Sequence, residues 1–166
     1  MFLLLAIMVF AAAADQVTKL LLYGHDMAVI PGVVCFRSVE NHGMVWGFMN
    51  NVSGLMIFVS VFTAVVIALM VYVLIKYRKT MPKLVSVPLA CVAGGAIGNL
   101  IDRVFLGFVR DFICTEFIDF PVFNVADCCI TCGAIFLGIV VIFTKKGRAA
   151  LSEIFPEEKE KKAKIK

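Results

Sequence analysis

Four long apolar runs divide the chain, at residues 2–23, 54–76, 84–106 and 121–144. Each is long enough, at a rise of about 1.5 Å per residue, to cross about 30 Å of hydrocarbon as a helix. The pattern therefore predicts an all-α membrane bundle of four transmembrane helices. The connections are unequal: a long segment at 24–53, a short turn at 77–83 and a medium loop at 107–120. The first of these, "GHDMAVIPGVVCFRSVENHGMVWGFMN", is rich in β-branched and aromatic residues and punctuated by glycine and proline. It predicts short strands, hence a small β-rich layer against the bilayer, with a simple buried strand as the competing reading.

Basic residues orient the runs. The turn "YRKTMPK", with Lys76 before it, and the cluster Lys145–Arg148 lie at one end of the bundle, which should be cytoplasmic. Segment 24–53 carries only Arg37 as a basic residue. Segment 107–120 sets Arg110 beside Asp111, Glu116 and Asp119. Both segments should face outward, leaving both termini cytoplasmic. The first run also admits a second reading as a cleaved signal peptide with a small-residue site at Ala12–Ala14. No Lys or Arg precedes the run, however, and its polar residues Asp15 and Lys19 favour a retained helix.

Composition agrees with the pattern. The 166 residues are 61% hydrophobic and only 17% charged, with a mean hydropathy of +0.97, too apolar for a soluble domain of this length. Residues 1–144 form one unit that includes the outer segment 24–53. Residues 145–166, with eight Lys/Arg and four Glu, read as a charged cytoplasmic tail. Membrane lipid is its natural neighbour, since juxtamembrane basic residues contribute about 1 kcal/mol each at an anionic surface. Nothing in the chain resembles a nucleic-acid-binding module. Cys128, Cys129 and Cys132 lie in the last run without a matching His or Cys cluster elsewhere. They therefore read as small, buried helix residues rather than metal ligands, and no metal is expected. Cys35 and Cys114 both fall in outward-facing connections, where a disulfide is conceivable.

Polar residues inside the runs are what the pattern does not explain. A charged group there costs about 2.5–3.5 kcal/mol on insertion scales, so each needs compensation. Helical spacing gathers them on faces: Asp15, Thr18 and Lys19 on the first helix, Asn99, Asp102 and Arg103 on the third, Asn124 and Asp127 on the fourth. The second run holds only Ser60 and Thr63 and reads as filler. Gly94, Gly95 and Gly98 offer a small-residue face for close helix packing. Asp15 and Lys19, at i and i+4, can neutralise each other, and Asp102 can pair with Arg103, with Lys19 or with backbone donors. These three acids and bases are read as structural.

The remaining acids suggest chemistry. No serine–histidine arrangement, HExxH or phosphate-cradling loop is available, and His25 and His42 read as interfacial side chains. Two neighbouring carboxylates share a proton, so one can activate water while the other protonates a carbonyl oxygen. Asp127 needs such a partner, and both Asp102 and Asp111 lie within reach of it. A coupled transporter is a rival reading, but repeated halves and midplane polar groups are missing. A non-catalytic scaffold with its acids in ion pairs is another.

Five ordered stretches, "DQVTK" (15–19), "ENHGMVWGF" (40–48), "GGAIGNLIDR" (94–103), "VRDFI" (109–113) and "FNVAD" (123–127), together resemble the lipoprotein signal peptidase family. Its members are membrane aspartic proteases, also called signal peptidase II. The resemblance covers nearly the whole chain to residue 144. It implies four helices with a small extracytoplasmic β-cradle between helices 1 and 2. It implies a catalytic dyad of Asp111 and Asp127, with Asn41, Asn99, Arg103 and Asn124 positioning substrate, and it matches Asp15 and Lys19 to the family's polar pair. The implied reaction cuts a diacylglyceryl-modified prolipoprotein just before its lipidated cysteine. No cofactor is implied; the enzyme is expected as a monomer in the bacterial cytoplasmic membrane, its active site near the outer leaflet surface. Met44, Val45 and Cys128 depart from the family's usual residues, which bears on the shape of the groove.

Overall fold

The computed structural model describes residues 1–42 and 54–156. Four helices in it are long and apolar enough to cross a membrane: α1 (Phe2–Leu22), α2 (Leu55–Lys76), α3 (Lys83–Leu106) and α4 (Val125–Phe143). Strands β1 (Met27–Ile30) and β2 (Val34–Asn41) lie between α1 and α2, β3 (Val109–Thr115) follows α3, and a fifth helix, α5 (Lys145–Ile154), follows α4. The motif residues 43–48, with the departures at Met44 and Val45, lie outside the described residues, as does the end of the tail.

Helix α3 is the axis of the bundle, packed by α1, α4 and α2. Its glycines permit this. A Cβ on Gly94 would stand 2.6 Å from the Met8 carbonyl oxygen of α1, and one on Gly95 would stand 2.6 Å from the Ala126 carbonyl of α4. Small-residue contact, not apolar transfer, holds helices together in lipid. Leu4, Met8, Leu74, Ala90 and Ala93 form the apolar core on the α1 side. Phe10, Leu20, Phe58, Phe105, Ile142 and Phe143 face outward, as lipid-contacting positions should.

The helices' sheet end is closed by three antiparallel strands in the order β1-β2-β3. Two strands come from segment 24–53 as expected. The third comes from 107–120, which reads in the sequence as a plain loop. Its register sets Cys35 opposite Cys114, Val39 opposite Asp111 and Asn41 opposite Val109, with an irregularity between Phe36 and Val39. Cys35 and Cys114 are joined as a disulfide, and Phe36 meets Phe112 edge-on across the same pair of strands.

Helix α4 begins at Val125, later than the apolar run suggests, because Asn124 caps it. The Asn124 side chain accepts the Asp127 N–H at 3.0 Å, while the Asp127 carboxylate accepts the Asn124 N–H at 3.1 Å. This reciprocal box satisfies two otherwise orphaned donors. At the far end, Thr144 breaks the helix in extended conformation and its hydroxyl accepts the Gly147 N–H at 2.9 Å. Gly147 then packs on the Val140 carbonyl, and Ala150 joins Val85 and Val140 in a small apolar cluster. Residues 145–154, read as the start of a solvated tail, thus form a helix laid against α3 and α4.

Candidate active site

Two buried polar clusters flank α3. The first lies between α1, α3 and β3. Asp15, Lys19 and Asp102 are all but excluded from solvent. Lys19 Nζ stands 2.7 Å from Asp15 Oδ2 and 3.2 Å from Asp102 Oδ2. Asp102 also accepts from Arg110: its backbone N–H at 2.9 Å, Nε at 3.3 Å and Nη2 at 2.8 Å. Gln16 completes the set, donating from Nε2 to Asp102 at 3.0 Å while its Oε1 accepts from Arg110 Nη2 at 3.0 Å. Asp15 Oδ1 accepts the Ala126 N–H at 2.9 Å, which ties α1 to the first turn of α4. A Cβ on Gly98 would stand 2.5 Å from Asp15 Oδ2, so only glycine leaves room for this carboxylate.

Of the partners the sequence leaves open to Asp102, Lys19 and a backbone donor, the Arg110 N–H, are found, and Arg103 is not. Adjacent helical residues point about 100° apart, and Arg103 turns to the opposite side. Asp102 also takes the side chains of Arg110 and Gln16, two residues the sequence reading did not single out. Gln16 falls off the face that Asp15 and Lys19 define, and Arg110 sits in the segment taken for a loop. The β-branched and aromatic residues of "VRDFICT" were the one strand signal that could have found it.

The second cluster opens on a cavity of about 630 Å³ between α2, α3, α4 and the sheet. Asp111 and Asp127 both line it, with Asn41, Asn99 and Arg103. Strand β3 delivers Asp111, and the capping box fixes Asp127 in the third helical position of α4. Amides join the two acids. Asn124 Nδ2 donates to Asp111 Oδ1 at 2.6 Å, and Asn41 Nδ2 donates to Asp111 Oδ2 at 3.0 Å. Asn99 Nδ2 donates to Asp127 Oδ1 at 2.8 Å. Asn99 Oδ1 in turn accepts from Asn124 at 3.0 Å and from Lys19 Nζ at 2.9 Å. All six residues assigned to catalysis or substrate binding thus meet at one place, with Asp102 on the other side of α3. Of the two acids named beside Asp127, Asp111 lines the cavity with it and Asp102 does not.

Asp111 is 2% exposed, and burial together with the charge of Asp127 pushes its carboxyl up to about 7. Such a group holds a proton where an ordinary aspartate would not. Arg103 is the cation beside this pair, and its Nε is buried with no hydrogen-bond partner among the described residues. An unpartnered buried donor is costly unless something arrives to accept from it.

Helix α2, read as filler, supplies a wall of the cavity through Phe62, Thr63, Val66 and Met70. The cysteines of α4 are also more than packing residues. Cys128 and Cys132 line the cavity, and Cys132 is exposed rather than buried. Among the described residues no three His, Cys, Asp or Glu are grouped to hold a metal ion. His42 contacts Glu40 at 3.1 Å and lies beside the Phe108 ring, at the rim of the sheet.

Comparison with known proteins gives one answer. The family model described as signal peptidase (SPase) II matches residues 7–143. The lipoprotein signal peptidase of Enterococcus faecalis is 41% identical over 124 residues, 74% of each chain. That of Listeria monocytogenes serotype 4b (strain CLIP80459) is 38% identical over 136 residues, covering 78% of this chain and 86% of its own. A solved bacterial membrane enzyme superposes with a TM-score of 0.74 at 35% identity, covering 86% of this chain and 88% of that one. A second, also described as a bacterial membrane enzyme, gives 0.75 at 33% identity and covers 96% of its own chain. With this sequence likeness, this fold and these paired acids, the chain belongs to the signal peptidase II family.

Proposed function

We propose that this chain hydrolyses the peptide bond preceding a diacylglyceryl-modified cysteine in bacterial prolipoproteins, with Asp111 and Asp127 as the catalytic dyad. The observation that carries the reading is the wiring of these two acids through Asn124 and Asn99 at the mouth of one cavity. One carboxylate takes a proton from water as the water attacks the scissile carbonyl carbon; the other protonates the carbonyl oxygen, giving a tetrahedral diol. The first acid then passes its proton to the leaving nitrogen as the C–N bond breaks. The second recovers its proton from the collapsing diol. Arg103, through its unpartnered Nε, takes a substrate backbone carbonyl, and Asn41, Asn99 and Asn124 hold the acids in place.

The setting suits a lipid-anchored substrate. The cavity runs from the sheet between apolar helices, so acyl chains and signal-peptide side chains stay in hydrocarbon while the scissile bond meets the acids. The sheet end is taken as the outer side. Its disulfide belongs in an oxidising compartment, and Lys76, Arg78, Lys79, Lys83, Lys145, Lys146 and Arg148 collect at the other end. Both termini are then cytoplasmic and α5 lies at the inner surface, with one chain sufficient for activity. Purified protein in detergent with a diacylglyceryl peptide tests the reading. Asp111→Asn and Asp127→Asn should each lower cleavage by about 10³-fold or more while the protein still inserts and folds. Normal processing by either variant refutes it.

A further inference from the structure

The two acids of the dyad are not equivalent in their surroundings. Asp127 stands in the first turn of α4, where unpaired helix N–H groups favour a negative charge, and its Oδ2 closes the capping box. Its Oδ1 accepts from Asn99, and the carbonyl of that same amide accepts from the Lys19 ammonium at 2.9 Å. A cation on the oxygen of an amide polarises it, which makes its N–H the stronger donor. Asp111 sits on a strand, is more deeply buried, and among the described residues accepts from the amides of Asn41 and Asn124.

We infer that Asp127 is the general base and Asp111 carries the shared proton, and that Lys19, acting through Asn99, is the positioning residue that sets this division. The inference rests on the dyad proposed above. Lys19 is not used up by its ion pairs: its third contact, beyond Asp15 and Asp102, is the Asn99 oxygen. Asp127 is also the less buried acid and faces the cavity, where the attacking water must stand. The raised affinity of Asp111 for its proton agrees with this split, although the Lys19 charge also reaches Asp111, weakly.

Other charges around Asp127 do not make the same distinction. Arg103 of α3 stands beside both acids, and Asp15 of α1 and Asp102 of α3 oppose Lys19. Arg110 of β3 is held by Asp102 and Gln16, and Cys128 is the neighbouring thiol on α4. Helix α2 brings only Phe62, Thr63, Val66 and Met70 to the cavity.

The test is the acid limb of the kcat/KM profile, which reports protonation of the base in the free enzyme. The pair Lys19→Met with Asp15→Asn removes the cation without stranding an extra anion. Its acid limb should move up by about one unit, a loss of about tenfold in rate below the limb. Asp15→Asn alone keeps an acceptor for the Ala126 N–H and leaves Lys19 less neutralised, so its limb should move down. Opposite shifts support the inference, because a purely structural role would impair both variants without separating their limbs. Unmoved limbs, or limbs moved together, overturn it. If the paired variant fails to fold, Asp15→Asn alone decides: a limb that stays or rises refutes the role of Lys19. Retained cleavage by Asp111→Asn or Asp127→Asn would refute the dyad instead, so the two failures are distinguishable.

Discussion

Helix α3 separates two clusters built from the same materials. On the α1 side, Asp15 and Asp102 face Lys19 and Arg110, two anions against two cations, and the carboxylate oxygens are taken up by short bonds. On the α4 side, Asp111 and Asp127 have Arg103 as the cation at the cavity, Lys19 reaching them only through Asn99 and at a distance, and among the described residues a donor of that arginine is left over. The first cluster balances without help. The second balances only if a proton joins it. Burial of acids is therefore common to both clusters; what separates them is a charge imbalance beside a cavity. A balanced cluster resists protonation and water alike, whereas the unbalanced one must hold and release a proton to remain neutral.

Breaking the balanced side should have the largest effect on stability. Lys19→Met leaves Asp15 and Asp102 buried without their shared cation and should cost about 3–5 kcal/mol, read as a lower Tm in detergent. Asp111→Asn on the other side should not lower Tm comparably, although it should remove activity. Arg103→Gln should come next, lowering kcat/KM by about 10²-fold through loss of a charge-assisted contact to substrate, with Tm unchanged. A Tm loss as large as that of Lys19→Met would mean that Arg103 belongs with the balanced group.

The smallest effect concerns pH and stability. The Asp111 carboxyl is raised from 3.8 to about 7 in the folded chain. Its contribution is therefore fully present below the unfolded value and is lost as pH rises through about 7. Between about pH 5 and pH 8 the parent protein should lose about 2–3 kcal/mol from this group, and Asp111→Asn should lose none of that part. Thermal unfolding of both proteins across the range checks it; equal slopes would show that Asp111 does not titrate there.

Most of the helical frame was legible because apolar length is a direct consequence of bilayer thickness. The end of α4 was misplaced by the same rule: hydropathy counts Pro121, Val122 and Phe123 as span, while the Asn124 cap decides where the helix begins. Strand β3 was missed because its pairing partner lies far away in sequence, and its seven residues show no strict apolar–polar alternation. The roles of Asp15, Lys19 and Asp102 followed from helical spacing. The choice of Asp111 over Asp102 did not, because it depends on which side of α3 a neighbouring segment folds. Family resemblance supplied that choice. Gln16 and Arg110 had no such guide.

The sheet is stitched from segments that emerge at very different times: Cys35 and Cys114 are 79 positions apart. Until α3 and β3 have been made, Asn41 has no Asp111 to hold and β2 lacks its inner neighbour. A ribosome-tethered chain ending short of Thr115 would consequently lack both the paired sheet and Asp127, so the cavity between sheet and helices can close only late in synthesis.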